Sequence, residues 1–333
     1  MRKNIFLLLL LLFLPVIQIN GQSDNANGTP NVYIAGSFTN GIEETACYWK
    51  NEQMVSLKEK GCTDAIAVEN GFVYTAGSGY GKVRSNDLVA RDYLWYYSKG
   101  ERVVKGTQYS LSIKSMAVSN GNVYITGEYF TQDKWVTWVN GTEVLGGGNA
   151  IVAHGGEIYT IIAARRGTNA DALSAYGQRV NLGGKALGLD VPYGITYVCG
   201  DFYNKQSWSP CYWLDGVKKI LPKPVGCTDA WLEDIAVLSN GNVYAIGSKK
   251  ATNGEFLPIY WLNNRWAEIP GAKSYTAICA FEDKIYVLGR TQRGAFSVPC
   301  YWVIREDMQV GFKIEKVVVI PGARSVTDIV VTR

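Results

Sequence analysis

The sequence predicts an all-β fold, a seven-bladed β-propeller whose blades are four-stranded antiparallel sheets. Three observations predict it: a strand phrase that recurs along the chain, tight turns at matching places in each repeat, and two chain ends that each supply part of one blade. The composition agrees, since 36 Gly, 21 Tyr and 10 Trp among 333 residues suit many short strands joined by turns.

The recurring phrase has the usual form Val/Ile-Tyr-x-x-Gly; the fourth copy lacks the Gly and the fifth opens with Thr196. Its tyrosines are separated by 41, 50, 35, 38, 47 and 42 residues, the differences between successive residue numbers. Periods near forty are typical of propellers or helical arrays, and the alternation of apolar and polar residues over short runs excludes helices. Seven phrases predict seven blades; six or eight would follow from a miscount at the irregular fourth or the long second unit. The tyrosines are Tyr33, Tyr74, Tyr124, Tyr159, Tyr197, Tyr244 and Tyr286.

Each unit divides into four strands joined by turns. In the sixth unit the predicted strands span residues 234–237, 243–247, 258–262 and 266–269. Asn240-Gly241 lies in the first hairpin turn, because Asn and Gly tolerate the positive φ that tight hairpins require. Similar turns recur at Asn70-Gly71, Asn120-Gly121, Asn140-Gly141, Gly155-Gly156 and Asp215-Gly216.

The two chain ends predict how the ring closes. The repeat region, residues 31–333, opens with a second strand at 32–36 that has no first strand before it. It ends with a first strand at 327–331 that has nothing after it. Joining the two halves completes one blade from both termini and removes the exposed edges of an open array.

One large aromatic residue recurs near the end of the third strand of most units. A carbohydrate platform would use such a series, but one ring per blade at a fixed strand position is what packing between neighbouring sheets requires. We therefore favour packing. The residues are Trp49, Trp138, Trp213, Trp261 and Trp302, with Tyr97 in the equivalent place of the second unit.

These phrases carry two resemblances. An apolar-Tyr strand that ends in Gly and is followed later by Trp resembles a kelch repeat, although kelch units have paired glycines and here mostly one is present, as at Gly36 and Gly247. The chain is more similar to uncharacterised secreted bacterial propellers built from Val-Tyr-x-Ala-Gly and Tyr-Trp-x-Asn-Gly phrases. Residues 32–36 match the first phrase, and residues 48–51 match the second without its final Gly. This resemblance implies the fold and export only.

The N-terminus predicts export. A basic start is followed by an apolar stretch from Ile5 to Ile17 and by Gly21, after which cleavage is expected, so residues 1–21 are predicted to be a signal peptide. The apolar stretch is shorter than the roughly twenty residues of a membrane-spanning helix. Residues 22–30, rich in Ser, Asn, Asp and Gly, are predicted to be a disordered tether. We expect a secreted or periplasmic monomer with no membrane span in the mature chain.

Strand order predicts which face binds a ligand. Connections between first and second and between third and fourth strands lie on one face, the 1–2 face. Connections between second and third strands and between blades lie on the other, the 2–3 face. Long predicted loops fall on the 2–3 face, and loops held by a rigid scaffold often carry function. They span residues 77–92, 127–134, 164–172, 200–209, 222–233 and 289–297.

Aromatic and basic residues of these loops are the predicted ligand-binding residues, because exposed aromatics beside Arg form recognition surfaces. The alternative, that several of them anchor loops onto the sheets, stays open. The residues are Tyr80, Lys82, Arg84, Tyr129, Phe130, Arg165, Arg166, Phe202, Tyr203, Trp208 and Trp231.

Composition narrows the function classes. The formal charge of +4 is scattered, so no nucleic-acid partner is predicted. A single histidine, His154, excludes a histidine triad and a multi-histidine metal site, and no cofactor or metal is predicted. The seven cysteines allow either disulfides Cys47–Cys62 and Cys211–Cys227 or free thiols at core positions.

Two functions follow. The first is a secreted, non-catalytic binding or scaffold protein that recognises a glycan, peptide or protein through the 2–3 face. The alternative is an extracellular carbohydrate-active enzyme, a hydrolase or lyase, that uses a carboxylate pair in the central funnel. Candidate carboxylates near that face are Asp64, Asp87, Asp92, Asp201, Asp229 and Glu233.

Overall fold

The computed structural model describes residues 28–80, 91–106, 110–130, 132–163, 171–175, 178–307 and 312–333. Over these residues 28 strands form seven four-stranded antiparallel sheets, which confirms the predicted seven-bladed propeller. In the described parts of the chain, no helix is long and apolar enough to cross a membrane. The predicted signal peptide, 1–21, and most of the predicted tether lie outside the described residues.

The strands follow in chain order, with one short 3₁₀ turn at Pro192–Gly194 between β16 and β17. They are β1 (Asn31–Thr39), β2 (Glu44–Lys50), β3 (Gln53–Lys60), β4 (Cys62–Glu69), β5 (Phe72–Tyr80), β6 (Arg91–Ser98), β7 (Glu101–Gly106), β8 (Leu111–Ser119), β9 (Asn122–Tyr129), β10 (Lys134–Val139), β11 (Thr142–Leu145), β12 (Ile151–His154), β13 (Glu157–Ile162), β14 (Ala172–Ala175), β15 (Gln178–Asn181), β16 (Lys185–Asp190), β17 (Tyr197–Tyr203), β18 (Trp208–Leu214), β19 (Val217–Ile220), β20 (Cys227–Val237), β21 (Val243–Ala251), β22 (Phe256–Leu262), β23 (Arg265–Ala267), β24 (Ala272–Phe281), β25 (Lys284–Arg293), β26 (Phe296–Arg305), β27 (Lys313–Val319) and β28 (Ala323–Thr332). Blade 1 combines β28 with β1, β2 and β3, and blades 2 to 7 take the remaining strands four at a time.

The last strand closes the ring as predicted. β28 pairs antiparallel with β1, which places Ile329 opposite Ile34. The hydroxyls of Ser37 and Ser325 are 2.6 Å apart, which adds a side-chain bond at the seam. Both strands that would otherwise be edges are therefore paired, and the chain termini share one blade.

The third-strand tryptophans pack inside the ring. Trp49, Trp213 and Trp261 are at most 1 % exposed. Their indole N–H groups donate to carbonyls of the segments between blades, with Trp213 Nε1 bonding to Leu182 O at 2.7 Å. These three rings thus hold blades 1, 5 and 6 against the connection that precedes each of them, so the packing interpretation is confirmed.

In several blades an asparagine follows the third strand, and its hydrogen bonds tie this end of the strand to the second strand at the 1–2 face. Asn263 has a φ of 53°. Its backbone N–H donates to the carbonyl of Val243, and its Oδ1 accepts from the N–H of Val243 at 3.0 Å. Its Nδ2 donates to Asn242 at 2.9 Å. Asn51 and Asn140 make the same set of bonds to the second strands of blades 1 and 3.

The predicted long loops of the 2–3 face are wrong in length wherever they are described. The second strands run past the glycine of the phrase, so that β17 and β18 are joined only by residues 204–207 and β25 and β26 only by 294–295. The segment 222–233 is mostly strand, because β20 begins at Cys227. The glycine does not end the strand; it accommodates a bulge in the neighbouring strand. Where the 2–3 face is described in blades 5 and 7, it is therefore built of extended hairpin arms with short tips.

Candidate functional site

In five blades a bulge in the first strand places one residue at the cavity of the central channel. In six blades the register between first and second strands shifts by one residue, which leaves one first-strand residue unpaired. The glycine of the phrase lies opposite, and a Cβ at Gly247 would overlap the carbonyl oxygen of Trp231. The bulge residues are Thr327, Asp64, Lys114, Leu187, Glu233 and Thr276, and Asn149 precedes β12 at the corresponding place of blade 4.

These residues surround a cavity of about 600 Å³ in the channel. All of them except Asp64 line it. We call them the channel-mouth ring: Lys114, Asn149, Leu187, Glu233, Thr276 and Thr327. Because first strands begin at the 2–3 face, the ring lies on that side of the channel.

The residue after the bulge joins adjacent blades. Asp328 Oδ2 accepts from the backbone N–H of Ile66 in blade 2 at 3.0 Å, and its Oδ1 accepts from Ile329 at 2.8 Å. Asp234 makes the matching bond to Ile278 of blade 7 at 3.0 Å. Buried backbone N–H groups require partners, so these carboxylates act as clasps between blades.

At the position after the bulge, the two clasping aspartates are separated around the propeller by smaller residues. Ser115 occupies the same place in blade 3, and its hydroxyl accepts from the N–H of Ile151 at 3.3 Å. The other four blades have Ala65, Ala150, Gly188 and Ala277 there. A Cβ at Gly188 would overlap the Asp234 carboxylate, so the small residues make room for the clasps.

Burial changes the proton affinity of the clasping carboxylates. It raises the pKa of Asp234 to about 7, and the nearby charges of Asp328 and Asp190 add to the effect. Burial likewise raises the pKa of Asp328 to about 6 and that of Asp190 above its usual value. Each of the three accepts a bond on both oxygens from backbone N–H groups; for Asp190 the donors are Val191 and Val237, both at 2.8 Å. Asp190, Asp234 and Asp328 therefore stabilise the fold through these hydrogen bonds.

Glu233 differs from the other carboxylates of the channel. One of its oxygens accepts from the Ser248 hydroxyl at 2.9 Å. Among the described residues, no Lys or Arg forms an ion pair with it. It is the described channel carboxylate with an oxygen available to a ligand.

A second feature lies on the 2–3 face of blades 5 and 6, where four aromatic rings form two pairs. Tyr203 and Trp208, 56 % and 42 % exposed, have ring centroids 5.4 Å apart. Trp231 and Phe256, the latter 60 % exposed, are 5.7 Å apart. The backbone N–H of Trp208 donates to Asp229 at 2.9 Å, which joins the two blades at this point. We call these four residues the aromatic patch.

Polar groups border the patch. Lys223 Nζ donates to the Ser207 hydroxyl at 2.6 Å, and Lys250 Nζ lies 5.9 Å from the centroid of the Phe256 ring. Trp231 and Glu233 are two residues apart on β20, so the strand connects the patch to the channel-mouth ring. The arrangement offers flat apolar rings with hydrogen-bonding groups at their edges.

Comparisons with known proteins give structural likeness only. No family model matches the chain, and no curated protein matches it. A puromycin-hydrolysing peptidase of Mycobacterium tuberculosis aligns with a TM-score of 0.48 and 11 % identity over 85 % of this chain and 52 % of its own, so this chain spans about half of that protein. AztD of Citrobacter koseri aligns at 0.39 and 8 % identity over 91 % of this chain and 98 % of its own. A thermostable family-43 glycoside hydrolase aligns at 0.38 and 11 % identity, over 65 % and 97 %.

The structure places the predicted ligand-binding residues in different surroundings. Phe130 is exposed at the end of β9, whereas its neighbour Tyr129 is 5 % exposed in the core and donates its hydroxyl to Glu143. Phe202 packs against the core with Lys218 Nζ 4.6 Å from its ring centroid. We leave Tyr129 and Phe202 out of the candidate site. The predicted site residues Lys82, Arg84, Arg165 and Arg166 and the side chain of Tyr80 lie outside the described residues.

Sequence reasoning missed Phe256 and every member of the channel-mouth ring except Glu233, which was a candidate carboxylate. Phe256 precedes Trp261 by five residues, as Trp208 precedes Trp213, so alignment on the third-strand tryptophans could have found it. Lys114 carried no such signal, because its direction depends on a bulge. The candidate carboxylates Asp64, Asp201 and Asp229 do not line the channel cavity. Asp64 accepts from Ser78, Asp229 accepts from the backbone of Trp208 at the aromatic patch, and Asp201 is buried, which raises its pKa to about 6. Asp87 and the side chain of Asp92 lie outside the described residues.

All seven cysteines are free. Cys47 and Cys211 are buried in the core, and burial raises the pKa of Cys211 to about 12. The disulfides Cys47–Cys62 and Cys211–Cys227 are therefore not formed in this structure. The thiols pack as small apolar groups.

Proposed function

We propose that this chain is an exported, non-catalytic binding protein that holds a carbohydrate chain on the aromatic patch. The observation that carries the proposal is the presence of two aromatic pairs on adjacent blades, joined through the Trp208–Asp229 bond, in which Tyr203, Trp208 and Phe256 are exposed and Trp231 is half-buried. Large exposed rings cost free energy in water, so their concentration at one place favours a ligand. Export rests on the N-terminal sequence.

Carbohydrate fits the patch better than a protein partner. Sugar rings present C–H groups that pack on aromatic faces, and their hydroxyls need the donors and acceptors found at the ring edges. Here Asp229, Lys223 and Lys250 supply both kinds of group. Protein hot spots combine Trp and Tyr with Arg, whereas the ring contacts and hydrogen bonds described for the four patch residues involve no Arg.

Binding is also better supported than catalysis. A glycosidase needs one carboxyl group that can donate a proton to the leaving group and a second that acts as nucleophile or activates a water molecule. In the channel Asp190, Asp234 and Asp328 each use both oxygens on backbone N–H groups. Releasing them would uncouple neighbouring blades.

Titration of intrinsic tryptophan fluorescence against a panel of neutral oligosaccharides tests the proposal. We expect saturable binding, weakened roughly tenfold or more by Trp208→Ala or Phe256→Ala, since loss of an anchoring ring costs more than about 1 kcal/mol. Phe72→Ala is the matched control, because Phe72 is 45 % exposed on the 1–2 face. Binding that tolerates both patch variants, or no binding across the panel, would overturn the proposal.

A further inference from the structure

The channel-mouth ring holds two opposite charges on opposite sides of the cavity. Lys114 belongs to blade 3 and Glu233 to blade 6, three blades apart in a ring of seven. Both line the same cavity of about 600 Å³. Because Lys114 and Glu233 belong to different sheets, their side chains are not cross-strand neighbours.

Neither charge has an ion-pair partner among the described residues. The side chain of Lys114 makes no hydrogen bond within the described parts of the chain, and its Nζ lies 5.9 Å from the centroid of the Phe130 ring. Glu233 accepts a single bond, from Ser248. Lys114 and Glu233 are therefore both available to a ligand.

Their neighbours in the ring are engaged in holding blades together. Asn149 Nδ2 donates to the carbonyl of Ala186 at 2.8 Å, and Thr327 Oγ1 donates to the carbonyl of Thr63 at 2.6 Å. Thr276 makes no side-chain bond among the described residues, so its hydroxyl can act as both donor and acceptor. Asn149 and Thr327 are thus structural and Leu187 is apolar, so the other three ring members offer a ligand a cation, an anion and a hydroxyl.

We propose that the channel mouth is a second ligand site, distinct from the aromatic patch, that binds a small zwitterion with its carboxylate at Lys114 and its ammonium at Glu233. A cavity with few convergent polar groups is a common form of small-molecule site. Opposite fixed charges favour a ligand that presents both complementary charges, because an ion of one sign would leave the other charge unmatched. A short linear peptide with free ends, or a linear ω-amino acid, has this chemistry.

Isothermal titration of the full chain with diglycine, triglycine and tetraglycine tests the site. Each peptide is compared with its N-acetyl and C-amide forms, which remove one charge at a time. We expect one length with free ends to bind best, and either block to weaken binding about tenfold or more. Absence of binding by all three lengths, or equal binding of blocked and free peptides, would overturn the proposal.

Two charge-removing variants test which side chain binds which end of the peptide. With Glu233→Gln the penalty for N-acetylation should disappear while the penalty for C-amidation stays, and Lys114→Met should give the reverse. Lys205→Met and Glu255→Gln are the controls, because both residues are exposed on the 2–3 face outside the cavity. Penalties that persist in both ring variants would refute the assignment. If a ring variant fails to fold, the comparison of blocked peptides on the unaltered protein still decides.

The two proposals can fail separately. Trp208→Ala should weaken carbohydrate binding roughly tenfold or more and leave peptide binding unchanged, whereas Glu233→Gln should weaken binding of the free peptide about tenfold and leave carbohydrate binding unchanged. Peptide binding that is lost with Trp208→Ala would place the zwitterion on the aromatic patch and contradict a separate channel site.

Discussion

The Asp328 carboxylate of the last strand accepts a hydrogen bond from the backbone N–H of Ile66, 262 residues earlier in the chain, at 3.0 Å. This bond crosses from blade 1 to blade 2 at the place where the C-terminal strand completes the ring. The same carboxylate also binds the N–H of Ile329. One side chain therefore fixes the end of the chain, and Asp234 repeats the device between blades 6 and 7.

Asp328→Ala should lower the free energy of unfolding by about 1–3 kcal/mol for each N–H left without a partner in the buried seam. Urea unfolding followed by tryptophan fluorescence measures it. Asp283→Ala is the control, because Asp283 is 55 % exposed in a surface ion pair with Arg305 and should change stability by less than about 1 kcal/mol. Equal effects of the two substitutions would contradict the clasp.

The clasps also predict a dependence of stability on pH. Burial raises the folded-state pKa of Asp234 to about 7, whereas an unfolded Asp has a pKa of about 3.9. The folded state then binds more protons between these values, so this group's contribution is fully present below about pH 4 and is lost as the pH rises to about 7. Between pH 4.5 and pH 7.5 the free energy of unfolding should fall less for Asp234→Asn, whose side chain cannot titrate, than for the unaltered protein. Chemical denaturation at the two pH values measures the fall. Parallel losses would show that Asp234 titrates normally.

Gly247→Ala should be severely destabilising, by about 3 kcal/mol or more, because overpacking against rigid backbone forces the strands apart. The new Cβ would overlap the carbonyl oxygen of Trp231 at the bulge. Gly254→Ala is the control: its φ of 86° gives strain, but no atom lies within 4 Å of a Cβ there. Thermal unfolding compares the two, and a milder effect at Gly247 would argue against the bulge.

Two substitutions at Asn263 separate the contribution of its positive φ to stability from that of its side-chain hydrogen bonds. Asn263→Gly keeps easy access to the φ of 53° but removes the side-chain bonds to Val243 and Asn242. Asn263→Ala loses both, so it should cost about 1 kcal/mol more than the Gly variant. Chemical denaturation of the two variants checks the order, and a less stable Gly variant would show that chain entropy outweighs φ strain here.

The number of blades and the closure of the ring could be predicted from the sequence. Repeated Val/Ile-Tyr strands such as those at Tyr33 and Tyr244 have a period of two and recur near every forty residues, and both signals are local. The incomplete first and last units predicted the shared blade, which the pairing of β28 with β1 confirms. The buried role of the third-strand tryptophans followed from their fixed position.

Side-chain direction could not be predicted at the same level. Tyr129 and Phe130 are adjacent in the sequence, yet Tyr129 is the last residue of β9 and packs in the core, whereas Phe130 lies in the turn that follows and is exposed. Within a strand, successive residues point to opposite faces. A bulge shifts this alternation by one residue, and its place depends on the partner strand. Lys114 and Glu233 therefore meet the same cavity for a reason that their own segments do not contain.

The sequence by itself determined the architecture, because strand period, turn residues and repeat spacing are properties of short segments. Tertiary structure alone decided which side chains surround the channel, which carboxylates are engaged as clasps, and which aromatic rings stay exposed on blades 5 and 6. Those outcomes depend on pairing between strands that lie far apart in the chain, such as β28 with β1. Their physical reason is that register, and not composition, sets where each side chain points.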